Sequence, residues 1–306
     1  MPNIFISGLI NIETTVQVEC FPIDYTPVRY PFFGVRSTVA GVGYNVARAL
    51  STLGNQVRLA ALVGNDLPGA MVAAQLRADA LPGEFVLPRL AATPQSAILF
   101  DPSGRRQINT DLKDIQEQEY PPTLFEQAIE GCALAVLCNI NFSRALLARA
   151  RQRGLPIATD VHAISDLEDV YNRDFMAAAD ILFMSHERLP CAPEDWVRAV
   201  QSRFATPICV VGVGGAGALL GVHADGFLGR VPAVQTRPIV NTIGAGDALF
   251  AAFVHGYAAT GNPYEALRRA ITFASYKIGA TGAAEGFLSA AELDALHAAN
   301  KHEQEE

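Results

Sequence analysis

Residues 241–250 read Asn-Thr-Ile-Gly-Ala-Gly-Asp-Ala-Leu-Phe, a glycine-rich turn that runs into a helical pattern with one carboxylate at the junction. Gly244, Ala245 and Gly246 carry little or no side chain, so their backbone N–H groups can close around an anion at the positive end of the following helix. Asp247 falls in the first turn of that helix, where the dipole favours an ionised carboxylate. Such a group accepts the proton of an attacking hydroxyl while the N–H groups hold the charge that develops on a phosphoryl group. The plain alternative is a helix N-terminal acid contributing only about 0.3–1 kcal/mol through the dipole.

The rest of the chain frames that turn. Apolar runs at Asn3–Gly8, Val57–Leu62, Ala133–Cys138, Pro156–Asp160, Ile181–Met184 and Pro207–Val213 read as strands. Asn45–Leu53, Pro68–Ala80, Ser143–Arg153 and Glu194–Phe204 read as the helices between them. This alternation predicts an α/β fold, a mostly parallel central sheet flanked by helices on both faces. Two stretches break the rhythm: Thr14–Val39, with prolines at 22, 27 and 31, and Gln95–Asn109, a hairpin around Asp101-Pro-Ser-Gly104. They predict a small β lid formed by about 12–39 and 95–110 on a single domain spanning 1–306. Beyond Val213, strands at Gly217–Val222 and Phe227–Val231 turn at His223–Gly226, and helices follow at Ala245–Thr260, Pro263–Ala280 and Ser289–Ala299. Lys301–Glu306 reads as a charged, solvated tail.

Of 306 residues half are apolar, enough for a large core, and the net charge is −8. Lysine occurs only at 113, 277 and 301, which argues against nucleic acid as partner. The five cysteines form no C-x-x-C pair, their number is odd, and they read as reduced core residues of a cytoplasmic protein. The N-terminus lacks a basic region and cleavage site, and no uncharged apolar stretch reaches the roughly 20 residues of a membrane span.

Gly212-Val-Gly214-Gly-Ala-Gly217 satisfies G-x-G-x-x-G, the dinucleotide-binding pattern, but that pattern needs a helix opening at its third glycine. The next residues, Ala-Leu-Leu-Gly-Val-His, read as a strand, so a glycine turn between two strands is the better reading. Such a turn can still border a nucleotide.

A second glycine-spaced segment, Ala40-Gly-Val-Gly43-Tyr-Asn45-Val-Ala47 with Gly54 and Gly64 beyond it, accompanies the first. Together, in this order and some 200 residues apart, the two resemble the N- and C-terminal signatures of the PfkB (ribokinase-like) family of carbohydrate and nucleoside kinases. Weaker echoes at Gly8–Glu13, Val211–Gly217 and Gly282–Phe287 extend the likeness over nearly the whole chain. The resemblance implies an α/β core with a β lid, ATP as donor, Mg2+, and γ-phosphate transfer to a primary hydroxyl of a sugar or nucleoside. It implies Asp247 as base and Gly244–Gly246 as anion hole, with Gly41, Gly43 and Asn45 on the acceptor. Asn11 and Glu13 fall where the family has an acceptor-binding Asn and Asp, Glu13 being one methylene longer. Gly212, Gly214, Gly217 and Thr242 are the nucleotide-side candidates. Gly41 and Gly43 also fit a plain strand-to-helix turn, and Asn45 also fits a helix cap.

The family's Asn-x-x-Glu, whose Glu acts through magnesium-bound water, has no full counterpart in Phe183-Met-Ser185-His-Glu187-Arg188. One register aligns Ser185 and Arg188, the other Met184 and Glu187. Glu187 is the metal candidate, with a surface acid as its alternative. Asn139 and Asp160, at carboxyl ends of expected core strands, are either acceptor contacts or turn residues. Val42 between the two glycines, and no Lys before 113, argue against a phosphorylated acceptor, although Arg29, Arg36, Arg105 and Arg106 lie in the lid segments. Tyr30, Phe32, Phe33 and Tyr44 could stack on a nucleobase or a sugar ring, or form lid core. An unphosphorylated sugar is the favoured acceptor and a nucleoside the alternative; the incomplete 183–188 segment leaves a nucleotide- or sugar-binding protein with degraded catalysis as the other reading. The edges of lid strands suggest a homodimer.

Overall fold

The computed structural model describes residues 2–103 and 105–305, with side chains as far as residue 300. Gly104, in the expected hairpin turn, and Glu306 lie outside these residues. The strands are β1 (Asn3–Ser7), β2 (Asn11–Gln17), β3 (Val35–Ala40), β4 (Gln56–Gly64), β5 (Val86–Leu90), β6 (Gln95–Phe100), β7 (Arg106–Asp111), β8 (Leu134–Leu137), β9 (Ile157–Ala163), β10 (Ile181–Ser185), β11 (Ile208–Gly212), β12 (Ala218–Val222) and β13 (Phe227–Val231). The helices are α1 (Val42–Thr52), α2 (Leu67–Ala78), α3 (Pro122–Ala128), α4 (Asn141–Gln152), α5 (Arg173–Ala178), α6 (Pro193–Phe204), α7 (Ala245–Thr260), α8 (Pro263–Lys277) and α9 (Ala290–Glu305).

The large sheet runs β13-β12-β11-β10-β9-β8-β1-β4-β5, with antiparallel pairing only where β12 meets β11 and β13. Its central strands are apolar on both faces because both faces are covered, whereas the edge strands β5 and β13 are partly exposed. In β1, Ile4 and Ile6 enter a core shared with α1, α7 and α8, while Phe5 enters the opposite core beneath α3 to α6. The chain builds outward from β1 to β4 and β5, then returns to β8 on the other side of β1. That reversal makes a topological switch point between β1 and β8, where α/β sheets open a crevice at their carboxyl ends.

A separate four-stranded sheet, ordered β3-β2-β6-β7, forms the lid. It departs from the expectation over Thr14–Val39, because only its two ends pair and residues 18–34 between them contain no strand. Arg36 of β3 bonds Thr281 and Glu285 from the core side, its Nη1 lying 2.7 Å from Thr281 Oγ1. Lid and core are thus joined by polar contacts.

Other boundaries moved too. α1 begins at Val42, three residues before the expected start, which puts Asn45 inside the helix and removes its reading as a cap. β9 continues past Asp160 to Ala163 through a register shift, α8 stops at Lys277, and α9 carries on through the expected tail to Glu305. The strand after Gly217 is present as β12, as the failed dinucleotide motif requires. All five cysteines are free, but only Cys132, Cys138 and Cys209 are buried; Cys20 and Cys191 are exposed. No helix among the described residues is long and apolar enough to cross a membrane.

Candidate active site

α7 is the element that fixes the candidate base. Its residues Phe250 and Phe253 are fully buried and pack on Phe183 of β10, with ring centroids 4.9 and 5.2 Å apart. The N-terminus of this helix is therefore held by core packing. Gly244 caps it at φ 75°, a left-handed conformation natural to glycine, and a Cβ there would lie 2.5 Å from the Ala283 carbonyl oxygen. Asn241 Oδ1 accepts the Ile243 N–H at 2.9 Å, and the Val240 and Asn241 N–H groups bond the Ile278 carbonyl. These bonds tie the loop, a backbone cradle, to the segment after α8.

Its donors are not quite those expected. The Ala245 N–H turns onto the Thr242 carbonyl at 3.2 Å. Among the described residues, the N–H groups of Gly244, Gly246 and Asp247 have no protein acceptor. Open N–H groups at a helix N-terminus form an anion site.

α1 brings the second segment to the same place. Gly43 lies against the backbone of Gly8 just beyond β1, where a Cβ would come within 2.6 Å of the Gly8 carbonyl carbon. This close approach seats the helix so that Asn45 Nδ2 donates to Asp247 Oδ2 at 2.7 Å. The two glycine-rich segments meet through that bond.

Above it opens a cavity of about 190 Å³ lined by Asn11, Glu13, Gly41, Asn45, Gly244 and Asp247 among others. Asn11 Nδ2 donates to Ser96 Oγ at 2.6 Å, and Ser96 to Thr110 at 3.2 Å, a chain that crosses the lid sheet. The Oδ1 atoms of both Asn11 and Asn45 are buried without a hydrogen-bond partner among the described residues. Two orphaned acceptors in one cavity ask for a ligand rich in O–H donors.

Burial pushes the Asp247 carboxyl above the ordinary aspartate value, and the Asp160 charge adds to the rise. The Asn45 hydrogen bond and the His162 and Lys277 charges oppose it. The expectation that the helix dipole would favour the ionised form is thus overturned by desolvation. Burial likewise raises Glu13, helped by Asp247 and opposed by Lys277 and Arg106.

Gly43, Asn139 and Asp160 are outside the cavity lining. Asn139 bonds Asn172 at 2.9 Å, and Asp160 accepts the His162 N–H at 2.7 Å. Tyr44 is core, its hydroxyl bonded to Asp79, and no aromatic side chain lines the cavity among the described residues. Tyr30, Phe32 and Phe33 are exposed on the segment between β2 and β3.

On the opposite flank, Gly212 ends β11, Gly214–Ala216 makes a short turn, and Gly217 leads into β12. His186 Nδ1 lies 3.0 Å from the Gly212 carbonyl oxygen. Met184 is buried with its sulfur 3.1 Å from the Trp196 indole nitrogen, so the register that places Met184 at the family Asn position sets a core residue there. Ser185, at the strand end, accepts the Glu187 N–H at 3.3 Å. Glu187 is exposed, and the described residues hold no cluster of three or more His, Cys, Asp or Glu fit for a metal. One carboxylate suits a magnesium ion that arrives on nucleotide phosphates and fits no resident cage.

Sequence reasoning missed Ser96, Thr110 and Lys277, and placed Arg106 only in the lid. Arg106, which lines the cavity, donates from Nη1 to Thr242 Oγ1 at 3.1 Å. Lys277 has a signal that was open to view: it continues the buried stripe Ala266, Ala270 and Phe273 along α8.

The sequence profile of the pfkB family carbohydrate kinases matches residues 1–290. Acarbose 7(IV)-phosphotransferase of Actinoplanes sp. is 25% identical over 269 residues, 87% of this chain and 88% of that protein. ATP-dependent ribose-1-phosphate kinase of Halopiger xanaduensis is 26% identical over 303 residues, 97% of this chain and 98% of that protein. The solved structure of a microbiome-derived acarbose kinase aligns with a TM-score of 0.87 at 25% identity, covering 97% of this chain and 99% of its own.

Proposed function

The chain belongs to the pfkB family of carbohydrate kinases, and we propose that it transfers the γ-phosphate of ATP to a hydroxyl of an unphosphorylated sugar, with Asp247 as base. The observation that carries this reading is the Asn45–Asp247 hydrogen bond at the floor of a cavity bordered by open backbone N–H groups. In the reaction, Asp247 accepts the acceptor's O–H proton and the oxygen attacks the γ-phosphorus. The bond to the β–γ bridging oxygen breaks and ADP leaves. The N–H groups of Gly244 and Gly246 hold charge on the transferring phosphoryl group, a contribution of about 3–4 kcal/mol for a good oxyanion donor.

Asn11 and Asn45 offer their orphaned carbonyl oxygens to sugar hydroxyls, and Glu13 and Gly41 border the same space. Arg106 is the one cation among the described residues lining the cavity, and it shares that lining with the acidic Glu13 and Asp247. That balance disfavours a second phosphate on the acceptor, and the lack of a lining aromatic disfavours a nucleobase. Relatives are named both for an acceptor without phosphate in its name, acarbose, and for a phosphorylated one, ribose 1-phosphate. The cavity chemistry sides with the former class.

On the donor side Gly212, Gly214, Gly217 and Thr242 would meet the nucleotide through backbone and hydroxyl groups. Glu187 would hold magnesium, which neutralises phosphate charge when bound. Arg36 and Arg106 would let the lid close on the core and exclude water. The exposed Tyr25, Tyr30, Phe32 and Phe33 beside the lid support pairing of two chains through it, and a cytoplasmic setting fits the use of ATP and free sugar.

Incubation with Mg-ATP and a panel of free sugars, phosphosugars and nucleosides, with product identified by mass spectrometry, tests the assignment. Turnover of free sugars is expected. Turnover confined to phosphosugars or nucleosides contradicts it.

A further inference from the structure

Lys277, the last residue of α8, is fully buried beside the cradle. Its ammonium donates to the Ile243 carbonyl oxygen, the one hydrogen bond it makes among the described residues. That carbonyl shares a peptide unit with the Gly244 N–H, one of the open donors of the cradle. A cation on the oxygen fixes the peptide plane and polarises it, which strengthens the N–H at the other end as a donor. The charged groups around Lys277 are Asp247 on α7, Glu13 on β2 and Glu285 on the segment after α8, all favouring the ammonium, and Arg106 on β7, opposing it. A methionine or leucine would fill the same helical stripe without the expense of burying charge.

We infer that Lys277 is a positioning residue of the phosphoryl site, a tethered cation that sets the Ile243–Gly244 peptide so that the Gly244 N–H meets the γ-phosphate. This rests on the kinase reading. Burial lowers the Lys277 ammonium to about 8, within reach of titration, and occupation of the cradle by negative charge should raise it again.

The test compares binding of Mg-adenylyl imidodiphosphate and Mg-ADP by calorimetry. Lys277→Met is expected to weaken the triphosphate analogue about tenfold and leave ADP unchanged, since only the analogue places a γ-phosphate in the cradle. Methylammonium added to Lys277→Ala should recover part of the lost affinity. A general packing defect would weaken both nucleotides together, and an unchanged ratio of the two affinities overturns the inference. Should the variants not fold, the wild-type chain suffices: with only three lysines, Lys113, Lys277 and Lys301, side-chain NMR resolves the Lys277 titration. Its midpoint should rise with the analogue and stay in place with ADP; a midpoint the analogue does not move overturns the inference. A wild-type chain that binds neither nucleotide overturns the kinase reading and this one with it, whereas normal binding with an unmoved ratio overturns this one alone.

Discussion

Asn45 and Asp247, separated by 202 positions in the chain, are joined by a hydrogen bond of 2.7 Å from the Asn45 amide to the Asp247 carboxylate. The bond does two things at once. It aims the carboxylate into the cavity, and it works against the burial that raises the pKa of that carboxylate.

The pH dependence has a definite sign. A base must be ionised, so kcat/KM should fall as pH drops through the raised Asp247 value. Asn45→Ala removes the donor that lowers it, so the acid limb should move to higher pH and the rate at neutral pH should fall about tenfold or more. An acid limb that stays in place would show that Asn45 serves some other purpose.

Gly43 should tolerate no side chain. Its Cβ would strike the Gly8 backbone, where neither segment can yield without moving β1 or α1. Gly43→Ala should cost about 1–3 kcal/mol of stability and displace Asn45 two residues on, read as a lower midpoint in urea and a lower kcat/KM. Gly246 makes the contrast, since a Cβ there meets nothing within 4 Å; Gly246→Ala should leave the midpoint nearly unchanged.

Metal handling should respond to the turn after β10. Glu187→Gln should raise the magnesium concentration needed for half-maximal rate. The pair Ser185→Asn with Arg188→Glu, which restores the family pattern in the register with Met184 in the core, should lower it. Magnesium titrations at fixed ATP decide this, and equal curves for all three proteins would remove the segment from the metal's surroundings.

Much of this site was legible because close backbone contact leaves a mark in sequence. Gly43 against Gly8, and Gly244 at positive φ against Ala283, are places where only glycine fits, so their spacing is visible in the chain of residues itself. The central parallel strands were equally readable, since burial on both faces makes them plain apolar runs. Short elements left no such mark: β5, α3 and α5 have five, seven and six residues, too few for a period to emerge. The stripe on α8 marks Lys277 as buried, but not what it does: a single lysine on the apolar face of an amphipathic helix carries no motif, and its meaning depends on a carbonyl 34 residues away. The dipole argument for Asp247 failed because sequence shows a helix start but not how deeply it is buried.

Asp247 itself offers the most direct measurement. Asp247→Asn keeps a side-chain oxygen for the Asn45 donor while removing the charge that burial disfavours, so the variant should fold with equal or slightly raised stability. The decisive reading is the rate of phosphoryl transfer from Mg-ATP to a free sugar that the wild-type protein phosphorylates. The account predicts a fall of about 10²–10⁴-fold in kcat with ATP binding retained. A variant that transfers phosphate at the wild-type rate would contradict the assignment of Asp247 as the base.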